Sequence, residues 1–293
     1  MPVDQEHAQL VFQKLGRQFA KLATKPQPAN VHQFRTYSRR LEVLLEELTP
    51  ELTRNDKRLL KMLRKLRRRA GRVRDLDVQI VALRSLKIAQ DARRKTQLLG
   101  ALAEMRIQRE RKFSQSLDGK TIRELRRRLK KTQNTHHFAP EVEPLRVAVL
   151  IMAEVSKPKA QITEEVLHQY RISGKRVRYV TELAGKVPEA ERFLGSLKDM
   201  QDALGEWHDW LLLRQTAEKI LGGRQDSPLL SALRNVTGAK FRHALQVVSE
   251  VRATFLLKPG SPEETRTPPQ SATISAQRRP VSGHKLALRV ATA

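Results

Sequence analysis

"VHQFRTYSRR", residues 31–40, places His32, Arg35, Arg39 and Arg40 among apolar residues, Phe34, Tyr37, Leu41, Leu44, Leu45 and Leu48, that recur at three and four positions. Such spacing defines an amphipathic helix rather than a strand. On a wheel of about 100° per residue, His32, Arg35 and Arg39 fall within about 60° of one another, opposite the apolar stripe. The helix buries one face and offers a cationic one. "LHQYRISGKR", residues 167–176, repeats the pattern: His168, Arg171, Lys175 and Arg178 share one side, and Tyr170, Val177, Val180 and Ala184 the other.

The repetition extends beyond these two segments. His32, Gln33, Phe34, Arg35, Arg39, Arg40 and Leu41 match His168, Gln169, Tyr170, Arg171, Lys175, Arg176 and Val177 at an offset of 136. "GRVRDLDV" from Gly71 matches "GEWHDWLL" from Gly205 at 134, and "LLGALAEMRIQRER" from Leu98 resembles "LLSALRNVTGAKFR" from Leu229 at 131. Three matches in one order with slowly drifting offsets predict two copies of one helical unit. The expected architecture is all-α: two duplicated antiparallel bundles of the four-helix type, related by a pseudo-twofold axis.

Helical periodicity predicts segments over 4–23, 30–48, 53–70, 73–90, 92–117, 120–132, 141–156, 161–185, 188–203, 206–221 and 227–256, with breaks at Gly71 and Gly205 among others. The first repeat covers about 4–135 and the second about 141–256, within a domain of residues 1–257. From 258 to 293 the composition turns to Pro, Ser and Thr with Arg266, Arg278, Arg279, Lys285 and Arg289, which predicts a disordered, mildly basic tail.

Fifty-seven Lys and Arg face 31 Asp and Glu, a formal charge of +26. Self-repulsion of that size is ordinarily relieved by a polyanionic partner. The chain has no cysteine, which excludes disulfides and thiolate metal sites. The start, "MPVDQEHAQLVFQ", lacks a basic segment followed by an apolar one, and no apolar run is long enough to span a bilayer, so a cytoplasmic protein with no membrane partner is expected. Aromatic residues form only 4 % of the chain, too few for base-stacking platforms.

A third cationic face lies on "NDKRLLKMLRKLRRRAGRVRD", residues 55–75, with ten basic residues and two acids. Lys57, Lys61, Arg64, Lys65, Arg68 and Arg72 share one side of this helix, and Leu59, Leu63, Leu66 and Ala70 the other. Arg109 and Lys240 match at the third offset, in line with the apolar stripes above them, and are expected to point inward at the bundle ends. Carboxylates at i,i+4 spacing are scarce along the stripes, which favours an external anion. Asp75 and Asp209 read as braces that orient nearby arginines. His32 and His168 have no second ligand at metal spacing on their own faces, so anion donation is preferred to metal binding. No metal site and no cofactor is expected.

The segments "VHQFRTYSRRL", "GRVRDLDV", "LHQYRISGKRVRYVTEL" and "LGEWHDW" together resemble the CHAD domain, the conserved histidine α-helical domain of polyphosphate-associated proteins called phosins. The resemblance covers about residues 4–256. It implies two helical bundles about a pseudo-twofold axis, with a basic groove or pore that binds inorganic polyphosphate at polyphosphate granules. Carried over by motif position, the ligands would be His32, Arg35, Arg39, Arg40, Arg72, Arg74, His168, Arg171, Lys175, Arg176 and Arg178. The second Gly-Asp motif departs from the pattern with Glu206 and Trp207, so the halves should contribute unequally. Non-specific binding of nucleic acid through the helix at residues 55–75 is the alternative reading. Oligomeric state is not legible.

Catalysis finds little support in the residues. Some members of the resembled family join a triphosphatase with an E-x-E-x-K signature, and the nearest approach here, Glu141-Val142-Glu143-Pro144-Leu145, ends in Leu. "SQSLDGKT" ends like a phosphate-binding loop but has Ser114 at the first glycine and no preceding strand. A binder, not an enzyme, is expected.

Overall fold

The structure, a computed structural model, describes residues 2–24, 27–88, 90–136, 138, 141–157, 162–222 and 227–256. All regular structure among them is helical: α1 (Gln5–Thr24), α2 (Pro28–Leu48), α3 (Arg54–Ser85), α4 (Ala92–Ser114), α5 (Gly119–Thr135), α6 (Pro144–Ser156), α7 (Glu164–Thr181), a 3₁₀ turn (Glu182–Ala184), α8 (Pro188–Leu221) and α9 (Pro228–Leu256). The all-α expectation holds. The tail expected to be disordered, 258–293, lies outside the described residues.

Local chemistry sets the ends of these helices. Pro28, Pro144 and Pro188 open α2, α6 and α8, where a missing N–H costs nothing. Thr53 and Asp56 form a capping box on α3: the Thr53 hydroxyl accepts from Asp56 N–H at 3.2 Å and Thr53 N–H donates to Asp56 Oδ2 at 2.9 Å. Asp56 also accepts from the Thr132 hydroxyl at 2.6 Å and contacts His136 Nε2 at 2.8 Å, which ties α5 to the start of α3. Gly222, at φ 65°, ends α8 in the left-handed conformation glycine adopts freely.

The expected breaks at Gly71 and Gly205 do not occur, and α3 and α8 run unbroken for 32 and 34 residues. A mid-helix glycine costs only about 1 kcal/mol relative to alanine, which burial of the flanking leucines readily offsets. Continuity matters because each long helix serves two cores. The larger core takes Leu59, Leu63, Leu66 and Val73 of α3 and Leu197, Met200 and Leu204 of α8 together with α1, α2, α5, α6, α7 and the end of α9. The smaller one takes Leu76 and Leu83 of α3, Leu98 and Leu102 of α4, Leu213 and Ala217 of α8, and Leu229, Leu230 and Leu233 of α9. Both cores draw residues from both halves of the sequence.

Asp91 stitches the halves at the smaller core, accepting from the Ser227 hydroxyl at 2.7 Å and from Leu229 N–H at 3.3 Å. At the centre, α2 packs on α7 and α3 on α8. The two cationic helices therefore meet directly.

Candidate functional site

Arg35 of α2 lies across Gly71 of α3: a Cβ there would sit 2.6 Å from the Arg35 Nη1. Glycine makes room for the guanidinium, whose Nη1 approaches Asp75 Oδ1 at 3.9 Å. Asp75 in turn feels Arg171 and Lys175 of the opposite half, and Asp209 of α8 feels Arg171, Asp75, Lys175 and Arg74. The Arg35–Asp75 pair, and Arg171 within the field of Asp209, thus converge from the two matched segments into one charged centre. Burial raises both carboxylates above their ordinary range while the surrounding cations oppose the rise.

Around this centre the cations crowd one another. Burial lowers Lys175 to about 7, with Arg171, Arg39 and Arg35 adding to the effect and Asp209 opposing it. Burial likewise lowers His208 to about 4, helped by Arg171. His32 is lowered by burial and then by Arg74, Arg35 and Lys175. His168 places its ring 5.6 Å from that of His208. Arg35 Nη1, Arg171 Nε and His208 Nδ1 are buried without a hydrogen-bond partner. Each such donor costs about 1–3 kcal/mol unless an acceptor arrives.

The centre adjoins a cleft of about 560 Å³ lined by Arg39, Arg67, Arg171, Lys175 and Arg176. The same cleft carries Glu42, Glu46 and Glu47 beside Val43, Leu52, Ile172 and Tyr179. A smaller dent of about 300 Å³ between α1 and α2 is lined by Lys14, Arg17, Lys21, His32 and Arg40. His32 lines this dent and also lies within the field of Arg74, Arg35 and Lys175 of the centre.

Of the residues singled out from sequence, His32, Arg35, Arg39, Arg74, His168, Arg171 and Lys175 come together here. Arg40, Arg64, Arg176 and Arg178 are held by carboxylates. Arg40 binds Glu182 at 2.8 Å between the rings of Tyr37 and Tyr179, and Arg178 shares Glu182 at 3.0 Å. Arg176 contacts Glu47 at 2.5 Å, and Arg64 pairs with Glu42 and Glu46. Carboxylates are scarce along the stripes, as read, yet the neighbouring stretch supplies them. Lys57, Lys61, Lys65 and Arg68 are exposed along α3 and line neither cleft nor dent.

The inward placement expected for Arg109 and Lys240 is corrected. Arg109 joins Arg72 in a hollow on the flank of α3 and α4, and Lys240 pairs with Glu206 at 2.5 Å. Arg67 and His208 were missed by the sequence reading. Arg67 sits off the chosen stripe, where it pairs with Glu42 and donates to the Ser38 carbonyl at 3.3 Å. His208 could have been found, since it stands opposite Arg74 at the same 134-residue offset that relates the two aspartates. Among the described residues, no group of three or more His, Asp or Glu side chains could hold a metal ion, and no helix is long and apolar enough to cross a membrane.

Comparison with known proteins agrees with this architecture. The CHAD domain family model matches residues 6–218, and the chain belongs to that family. The fold is similar to the crystal structure of the CHAD domain from the plant Ricinus communis, with a TM-score of 0.58 and 17 % identity over 84 % of this chain and 88 % of that one. PptA from Streptomyces chartreusis is similar at a TM-score of 0.60 and 14 % identity, over 88 % of this chain and the whole of that one. A comparison with curated proteins returns no match.

Proposed function

We propose that the protein binds inorganic polyphosphate in the central groove, as a receptor rather than a catalyst, and that it works in the cytoplasm at polyphosphate granules. The observation that carries this reading is the convergence of Arg35, Arg39, Arg171 and Lys175 from both halves, with buried guanidinium donors left without acceptors. Arginine offers phosphate oxygens paired donors, and lysine adds a compact charge. A ligand without bases needs no aromatic platform. A phosphate chain in the groove would meet Arg39, Arg171 and Lys175, while Arg64, Arg67 and Arg176 are engaged by Glu42, Glu46 and Glu47.

A second reading, contact with nucleic-acid backbone, is favoured by one feature: Lys57, Lys61, Lys65 and Arg68 of α3 are exposed and do not line the groove. Competition at physiological salt separates the two. Long-chain polyphosphate should displace duplex DNA with at least about tenfold higher affinity per phosphate, the gain expected from one or more buried charge-assisted contacts. Equal affinities would favour the outer ridge and overturn the groove.

The glycines give a sharper local test. Gly71→Ala places a methyl where the Arg35 guanidinium lies, whereas a Cβ at Gly205 meets nothing within 4 Å. Gly205→Ala should stabilise its helix by up to about 1 kcal/mol, whereas at Gly71 displacement of the Arg35 guanidinium offsets that gain. Only Gly71→Ala should weaken polyphosphate binding, by about tenfold, the equivalent of one neutral-to-strong hydrogen bond. Titration calorimetry on both variants reads the difference, and equal affinities would show that the position of Arg35 is immaterial.

A further inference from the structure

On the flank of the α3–α4 pair, Arg69, Arg72, Arg109 and Lys112 line a hollow of about 440 Å³ with Gln115 as its remaining wall. No carboxylate lines it, and none of the four cations has an ion-pair partner among the described residues. Outside the central site, several arginines are neutralised: Arg64 by Glu42 and Glu46, Arg106 by Asp77 and Glu110, Arg40 and Arg178 by Glu182. The matched place in the second half shows the same rule. There Glu206 stands for Arg72 and Lys240 for Arg109, and the two form an ion pair at 2.5 Å.

Two structural explanations fall short. Basic residues in the last turn of α4, Arg111 and Lys112, complement its dipole, a gain of about 0.3–1 kcal/mol at an exposed end. That accounts for neither Arg69 nor Arg72, which lie in the middle of α3. Nor do the four diverge as an ordinary charged face does: Arg69 and Arg109 are partly buried, Arg72 and Lys112 are exposed, and all four line one concavity. Like charges held about a concave, partly desolvated surface raise the local potential and concentrate small anions.

We infer that this hollow is a second anion site, separate from the central groove, which takes a short run of two or three linked phosphoryl groups. Arg69 and Arg72 would grip from α3, Arg109 and Lys112 from α4, and the Gln115 amide adds a neutral donor. The site stands whether or not the groove is occupied, because none of its residues lines the cleft or the dent.

Inorganic tripolyphosphate is the probe, and titration calorimetry of the full chain counts its sites. The wild type should bind at two sites, and Arg72→Glu, which recreates the Glu206–Lys240 arrangement with Arg109, should bind at one. The surviving site should change in affinity by less than about threefold, since distant sites are additive. Arg109→Ala/Lys112→Ala should give the same count, which guards against a folding defect peculiar to Arg72→Glu. Arg35→Ala/Arg171→Ala should lose the other site and keep this one. If both flank variants retain the wild-type count, or if the groove variant binds no tripolyphosphate, the second site does not exist. Loss in the flank variants with no loss in the groove variant would instead defeat the groove and leave the flank site standing.

Discussion

Arg35→Ala combined with Arg171→Ala is expected to weaken polyphosphate binding by at least about 100-fold, since each charge-assisted contact to phosphate contributes about 1.5–3 kcal/mol. Arg266→Ala with Arg279→Ala, in the Pro-rich tail, removes the same two charges and should change affinity by less than about threefold. The comparison isolates geometry from charge. Counterion release depends on how many phosphates are neutralised, so two bulk charges matter similarly wherever they sit. Arg35 and Arg171 differ in being partly buried beside Asp75 and Asp209, with donors that have no acceptor. Similar losses in the two double variants, measured at one ionic strength, would mean that net charge alone drives association.

The second large effect concerns pH. Lys175, at about 7, faces Arg171, Arg39 and Arg35, with Asp209 as its counterweight, and it lies within the fields of Asp75, His32 and His208. A phosphate chain favours the ammonium form, so binding draws in a proton wherever free Lys175 is neutral. Affinity should fall by up to about tenfold per pH unit from pH 7 to 9, the limit for one linked proton. Lys175→Arg, which stays charged, should flatten the profile. His32 and the two aspartates reinforce the trend at lower pH, because the anion favours their protonated forms as well.

The stability of the unliganded fold runs the other way. Its Lys175 value lies below the unfolded one, so the unfolded chain binds more protons between pH 7 and about 10, and stability rises with pH across that window. Below pH 7 both states are protonated and the penalty is fully present. Lys175→Met should therefore raise the melting temperature of the free protein at neutral pH while weakening polyphosphate binding. A lower melting temperature would contradict the burial assigned to this amine.

The sequence showed the centre of the site because helical periodicity turns spacing into direction. His32, Arg35 and Arg39 had to share a face, and the offset of 136 placed Arg171 and Lys175 in the same relation to their own core. What periodicity does not carry is the identity of the facing helix. Glu42, Glu46 and Glu47 lie among the residues of α2, but their engagement of Arg64, Arg67 and Arg176 depends on how α2, α3 and α7 pack. For the same reason Arg40 and Arg178 looked available until Glu182 was placed between them.

Glycine misled the reading in another way. Gly71 and Gly205 were read as helix ends because glycine disfavours helix, but at Gly71 the missing side chain serves an approaching guanidinium. The matched stretches could not reveal this, since the space at Gly205 is open. Arg72 and Arg109 were assigned to the groove on motif position and face alignment, and they meet each other on the far flank instead.

The unbroken course of α3 and α8 has a consequence for how a phosphate chain would be received under the proposed function. Asp75 and Asp209 sit near the middles of these helices, where the two cores join, well away from ends that fray. Their backbones are clamped on both sides, so little ordering of the main chain remains to be done on encounter. The repulsion among the cations is built in during folding and, on the proposed function, would relax on binding an anion, which would make the groove a loaded spring rather than a loose trap.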